Sequence, residues 1–357
     1  MVVNSLIVIN SRFLTQNMTG VQRYAVEICL QLKRMMGDDI EFVSPCNILQ
    51  KKYAEMLNVR IIGRNKGHLW EQIDLPSYLR KNDNPLLLNL CNTAPLFYKN
   101  KIVTVHDVAY KVFPQTYPKP FLLYYNLMIP RLLNGSRHVV TVSQFSKEEI
   151  CRYYHIDNNK VSVVYNAVSE HFKPLRSTGD SAYFLAVSSM NYRKNFIYIL
   201  DAFSKYQELG GKESLYIIGD LKNASFKEID LCKYTSNPKI IFLGRVSDED
   251  LIKFYSNAVA FVYPSLYEGF GIPPLEAQAC GCPAICAQAS CLPEVFGDSV
   301  LYCNPYDSDS LVSALKIIVS DKDLRKSLCE KGNINTGKYS WEMSAQKLRD
   351  IIVKMDL

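Results

Sequence analysis

At 357 residues the chain is longer than one ordinary hydrophobic core, and two α/β domains are expected. Its 48% hydrophobic and 21% charged residues suit a soluble globular protein, and no apolar run approaches the ~18 residues that cross a bilayer. The net charge of +6 sits in the first half: residues 1–170 carry 20 Lys/Arg against 13 Asp/Glu, the rest 21 against 22, a bias that suits an anionic partner such as a membrane surface, a lipid pyrophosphate or nucleic acid.

The opening residues, Met1 to Ile9, lack a basic segment and a small-residue cleavage site, and read as a first strand. Short β-branched and aromatic runs then alternate with helical stretches, the pattern of parallel α/β layers. In the first half the expected strands are Leu6–Asn10, Ile40–Ser44, Val59–Ile62, Leu86–Leu90, Ile102–Val105, His138–Val142 and Val161–Val164. Helices are expected over Gly20–Met35, Pro118–Asn134 and Ser143–Tyr153. The text turns loop-like over His171–Asp180, an interdomain linker. The second half restarts with strand Tyr183–Val187, a helix over Asn195–Leu209, strand Leu215–Ile218, a helix near Phe226–Tyr234 and strand Ile240–Leu243. A capping box at Ser247–Asp250 opens the next helix, and strand Val259–Tyr263 leads into the segment E-G-F-G-I-P-P-L-E. The final stretch, Trp341–Met355, is amphipathic, with Trp341, Met343, Ala345, Leu348, Ile351 and Ile352 able to share a face.

The segment Glu268–Glu276 carries the most chemistry. Gly269 and Gly271 permit a sharp turn and leave amides unshielded, Phe270 lies between them, and Pro273 and Pro274 suit a first helical turn. A short helix over Leu275–Cys280 would end at Gly281. Strand, glycine loop and helix N-terminus make an anion site, and Glu268 and Glu276 flank it as acceptors for hydroxyls; phosphate beside hydroxyls describes a nucleotide sugar. The plainer alternative has Glu276 favouring its helix's positive end and Glu268 solvated in a loop.

Three further groups lie at strand ends. Thr19-Gly20-Val21 opens a helix after the first strand, where Gly20 can bring amides close to a phosphate. His106 ends strand Ile102–Val105 and can bond a sugar hydroxyl or steady developing positive charge, although a lone histidine is more often structural. Arg193 and Lys194 end Ser188–Asn195, where two adjacent cations can clamp a diphosphate, unless they are simply solvated. No complete G-x-G-x-x-G occurs, which argues against a dehydrogenase.

Eleven cysteines without a secretory signal suggest a reducing compartment. Cys280, Cys282, Cys286 and Cys291 cluster but lack paired C-x-x-C units or histidines, so they read as small core residues rather than zinc ligands. Three D-x-D pairs, Asp248/Asp250, Asp307/Asp309 and Asp321/Asp323, are each explained by helix capping, and the site reads as metal-independent.

In chain order, T-G-V-Q-R-Y, L-W-E-Q, V-H-D-V-A-Y, V-T-V-S-Q-F-S-K-E-E-I, Y-R-K-N, G-R-V-S-D-E-D-L, P-S-L-Y-E-G-F-G-I-P-P-L-E-A-Q-A-C-G-C-P, C-L-P-E-V-F-G-D and Y-S-W-E resemble the retaining glycosyltransferases of family 4 almost end to end. The two glutamates match that family's E-x7-E element. The resemblance implies a GT-B fold: an N-terminal acceptor-binding Rossmann-like domain over 1–170, a C-terminal nucleotide-sugar-binding domain over 171–340, a central cleft between them, and a helix over 341–357 crossing back to the first domain. It implies that Glu268 contacts donor-sugar hydroxyls and Glu276 the ribose. Arg193 and Lys194 would bind the diphosphate, helped by amides around Gly20 and Gly269–Gly271, and His106 would lie near the anomeric region. Two departures stand out. Relatives often read N-G-V where this chain has Asn166-Ala167-Val168, so Asn166 is not placed in the site; and Ser188-Ser189 stand where many relatives carry Arg or Thr.

The implied reaction moves a sugar from a nucleoside diphosphate, leaning to GDP-mannose, to a glycan or lipid-linked glycan acceptor with retention of configuration. No cofactor or metal is expected. The setting is cell-surface polysaccharide or lipopolysaccharide synthesis in the cytoplasm, with peripheral contact at the anionic inner face of the membrane. A glycosidase also uses two carboxylates, but a diphosphate leaving group needs positive potential more than a proton. A catalytically idle nucleotide-sugar-binding scaffold and a nucleic-acid binder are the competing classes; no nucleic-acid motif supports the second.

Overall fold

The structure, a computed structural model, describes residues 6–175, 182–187, 191–219 and 232–356. Two compact units form: one from the residues up to Val112, Tyr117–Asn166 and the chain from Ser340 onward, the other from Phe113–Thr116 and Ala167–Tyr339.

The first unit is a seven-stranded, wholly parallel sheet. Its strands are β1 (Ile7–Asn10), β2 (Ile40–Ser44), β3 (Arg60–Ile61), β4 (Leu86–Asn89), β5 (Lys101–Thr104), β6 (His138–Thr141) and β7 (Val161–Val163). They lie in the order β3-β2-β1-β4-β5-β6-β7. Such strands are covered on both faces, which is why they read as near-continuous apolar runs; β1, β4, β5 and β6 are buried throughout. Helices Gly20–Met36, Lys119–Asn134 and Gln144–Tyr154 form within a residue of expectation. Strand β3 keeps only two exposed residues of the expected four.

The second unit is a six-stranded parallel sheet in the order β10-β9-β8-β11-β12-β13. Its strands are β8 (Tyr183–Val187), β9 (Ser214–Ile218), β10 (Ile240–Gly244), β11 (Ala260–Tyr263), β12 (Ala284–Ala287) and β13 (Leu301–Cys303). Its core joins Phe184, Phe196, Leu200 and Phe203 to Leu311 and Leu315 of helix Ser308–Ser320. The expected helix near Phe226–Tyr234 falls mostly outside the described residues, which show a helical turn at Cys232–Thr235.

Helix Trp341–Asp356 packs on helix Gly20–Met36 of the first unit. Trp341, Ala345, Leu348 and Ile352 form the buried face, spaced as a helical stripe requires. Met343, expected on that face, is 59% exposed because two residues past Trp341 is the wrong side of a 3.6-residue turn. The Ser344 hydroxyl ties the helix to the Tyr165 carbonyl at 2.7 Å. Among the described residues, no helix is long and apolar enough to cross a membrane.

The three D-x-D pairs cap helices. Ser247 Oγ accepts from the Asp250 amide while donating to its carboxylate; Asp307 accepts from the Asp309 amide and Asp321 from the Leu324 amide.

Candidate active site

In an open parallel sheet, ligands bind beyond the carboxyl ends of the strands where the order reverses. In the second unit that point lies between β8 and β11. The chain leaving β8 makes a tight turn at Tyr192–Lys194, opened by Asn191, whose side chain accepts from the Arg193 amide at 2.9 Å. The loop leaving β11 delivers Glu268, and Leu266 N to Arg193 O at 2.8 Å joins the two segments.

There the side chains converge. Lys194 Nζ donates to Glu268 Oε1 at 2.6 Å and to the Tyr263 hydroxyl at 2.8 Å. Arg193 Nη1 donates to Glu268 Oε2 at 3.2 Å and to the Tyr267 carbonyl at 2.5 Å. Tyr263 and Ser265 hydroxyls donate to Glu268 Oε1 at 2.9 and 2.5 Å. The carboxylate is only 7% exposed, which rules out the solvated-loop alternative. Burial by itself would raise its pKa; the charges of Lys194 and Arg193, with hydrogen bonds from Lys194 and Ser265, outweigh that and hold it at about 2. Burial, and then that same carboxylate, push the Tyr263 phenol far above its ordinary value, so it stays a neutral donor. One carboxylate against two cations leaves the cluster with a net positive charge.

Beside the cluster begins helix Ile272–Ala279, longer at its start than expected, with Pro273 and Pro274 in its first turn. Gly271 caps it at φ +92°, a left-handed conformation that glycine adopts without strain. Gly269 does not adopt positive φ, so the sharp turn belongs to Gly271 alone. The Phe270 side chain is buried edge-on against Tyr339, with ring centroids 5.3 Å apart. Glu276 is buried on the same helix beside Tyr255, whose phenol is pushed well up by burial and then by the Glu276 charge.

Glu268, Arg193 and Lys194 are thus brought into direct contact, with Gly269, Phe270, Gly271 and Glu276 following on in the adjoining loop and helix. His106 and Gly20 belong to the first unit. Gly20 starts its helix as expected. His106 is 6% exposed, with Nε2 2.9 Å from the Leu90 carbonyl, its amide on Asn92 Oδ1, and its ring edge-on to Tyr24. Burial lowers its pKa and keeps it neutral near pH 7. Ser188 and Ser189 lie outside the described residues.

Sequence reasoning missed Tyr263, Ser265 and Ser290. Ser290 Oγ accepts from the Glu268 amide at 3.1 Å, and its own φ is +51°, a strained value for serine. A signal existed for the first two: polar atoms at the carboxyl end of an apolar strand, five and three residues before an acid. Cys280, Cys282, Cys286 and Cys291 are buried. Among the described residues, no group of three or more His, Cys, Asp or Glu is placed to hold a metal ion.

Comparison with known proteins shows the family. The model for glycosyl transferases group 1 matches residues 167–334, and that for glycosyltransferase family 4 matches residues 18–172. The O-antigen chain mannosyltransferase B of Escherichia coli is 31% identical over 270 residues, covering 70% of this chain and 70% of that protein. The chain belongs to glycosyltransferase family 4. This glycosyltransferase is also 28% identical over 331 residues to the O-antigen chain mannosyltransferase RfbU of Salmonella typhimurium, covering 87% of this chain and 90% of the relative. Its fold matches HepE of Anabaena, solved with UDP and glucose, at a TM-score of 0.77 and 14% identity over 98% of this chain and all of that one. The fold is GT-B, built on the two parallel sheets described above, and the protein is an enzyme of the hexosyltransferase class.

Proposed function

We propose that this glycosyltransferase moves a mannosyl group from GDP-mannose to a hydroxyl of a glycan or lipid-linked glycan in O-antigen or related surface polysaccharide synthesis, with retention of configuration and without a metal ion. The carrying observation is the buried Glu268–Arg193–Lys194 cluster at the switch point of the second sheet, beside a helix N-terminus. A nucleoside diphosphate leaves with negative charge growing on its phosphate oxygens. Arg193, Lys194 and the amides of the Gly269–Ile272 turn offer the fixed positive potential that this step needs. That supply of charge is what supports a metal-independent reaction.

Glu268 holds both cations in place and, with donor bound, accepts from the sugar's hydroxyls; Glu276 serves the ribose. His106, neutral and buried, serves the anomeric region. Departure of the diphosphate on the same face as acceptor entry lets a phosphate oxygen take the acceptor's proton, so no separate base is required. The mannosyl donor rests on the names of the two enterobacterial relatives, and HepE, solved with UDP and glucose, supports a nucleotide-sugar donor.

A thermal-shift panel of GDP, UDP, dTDP, CDP and their sugars, with EDTA present, tests the reading. A ligand at ~100 times its Kd adds about 2.7 kcal/mol of stability. Stabilisation by GDP and GDP-mannose alone, followed by mannosyl transfer in EDTA, is expected; silence across the panel overturns the donor assignment, and a response to another base redirects it. The basic N-terminal half also supports peripheral contact with anionic membrane from the cytoplasmic side. Flotation with phosphatidylglycerol liposomes but not with neutral ones is expected, and equal flotation counts against it.

A further inference from the structure

The L-W-E-Q motif has no role in the reaction outlined above, and the structure gives it one. Glu71 lies in a π-helical turn, Trp70–Asp74, a widened geometry that recurs at functional sites. The turn brings Glu71 to the switch point of the first sheet, between β1 and β4, where the last residues of those strands, Asn10 and Asn89, are paired in register.

A polar cluster fills that point. Glu71 is 1% exposed, and its Oε1 accepts from Asn10 Nδ2 and Arg12 Nε, each at 3.0 Å, and from the Thr93 hydroxyl at 3.2 Å. Arg12 is itself more than nine-tenths buried; its Nη2 donates to Thr93 at 2.8 Å, and Nη1 takes part in none of these bonds. Oε2 faces His68 Nδ1 at 3.3 Å, and the half-exposed His68 ring lies 5.1 Å from that of Tyr124, whose hydroxyl is 3.2 Å from the same nitrogen. A carboxylate can only accept, so Nδ1 carries the proton, and in the neutral ring Nε2 is the acceptor.

The second unit places a buried carboxylate and an arginine at the same topological point of its own sheet. We infer that the first unit's cluster is a second carbohydrate site, in which Arg12, His68 and Tyr124 bind the hydroxyls of a neutral acceptor sugar over the Glu71 anchor. The chemistry fits a polyol: Arg12 Nη1 donates, His68 Nε2 accepts, and the Tyr124 ring gives an apolar wall for a sugar's C–H face. Glu71 is a positioning residue, fixing the His68 tautomer and the Arg12 fork. Calling the sugar an acceptor rests on the proposed transfer; the existence of the site does not.

The test is saturation-transfer NMR on the full chain with methyl α-mannoside, methyl β-galactoside, methyl α-rhamnoside and methyl N-acetyl-β-glucosaminide, with no nucleotide present. It is run on the wild type and repeated in the Glu268→Gln background, where an unchanged signal shows that donor-sugar contacts do not contribute. At least one glycoside is expected to give signal. His68→Ala should weaken its binding about tenfold, the loss of one hydrogen bond in a charged network, and Tyr124→Phe should do so by a smaller factor. Both residues are accessible enough that the variants fold, which an unchanged melting curve confirms. Absence of signal for every glycoside, signal indifferent to His68→Ala, or displacement of the sugars by millimolar inorganic phosphate would overturn the site. If the nucleotide panel is silent while the His68-dependent signal persists, the donor reading fails and this one stands.

Discussion

Glu268 holds together the two cations that would face a diphosphate, and its removal has separable consequences. Glu268→Ala strands Arg193 and Lys194 beside each other, which should cost about 3–5 kcal/mol of stability in urea unfolding. Binding of free nucleotide should survive, because the cations remain, while transfer falls sharply. The pH dependence has a definite sign. The folded carboxyl titrates at about 2 against an ordinary 4.5, so the folded state holds fewer protons than the unfolded state between those values. The stability difference between the wild type and Glu268→Gln should therefore be constant above about pH 5.5. It should shrink as pH falls from 4.5 through about 2. Lys194→Ala and Arg193→Ala should each lower turnover by ~10²–10³, as loss of an oxyanion donor does. Arg193→Ala should also lower the melting temperature more, since Arg193, unlike Lys194, also donates to the Tyr267 carbonyl.

At the scale of elements, Gly271 is a position where the backbone has little latitude. At φ +92°, an added Cβ would meet Leu292 Cδ2 at 2.8 Å and Phe296 Cε2 at 3.3 Å. Gly271→Ala should cost about 1–3 kcal/mol through the strained φ and weaken nucleotide binding by tilting the helix start; equal urea midpoints for the two proteins would count against it. This turn was legible in the sequence because glycine and proline announce themselves. So were β1, β2, β8 and β11, whose apolar runs reflect burial on both faces. Strand β13 (L-Y-C) escaped, since so short a run carries no periodicity. The turn at Trp70–Asp74 escaped because a single π-helical turn keeps a helical composition. The acid–base content of the site was legible as residue types; its bonding was not, because Glu268 meets Tyr263, Ser265 and Lys194 only once β8 and β11 lie side by side.

At the scale of the whole molecule, each unit has its own core, and the first is completed by the last helix of the chain. A variant ending at Ser340 would expose the face of helix Gly20–Met36 that now meets Trp341, Ala345, Leu348 and Ile352. It should lose the cooperative melting of the first unit, and circular dichroism on the purified variant would show an unchanged transition if this is wrong. The same connectivity bears on engineering. Residues 167–339 are in effect an insertion into the first unit, entered at Asn166 and left at Ser340. A hybrid enzyme made by joining the front of one glycosyltransferase to the entire back of another would import a foreign closing helix against Tyr24 and its neighbours. Exchanging a cassette with two junctions, rather than one, keeps each parent's helix on the surface it evolved to cover.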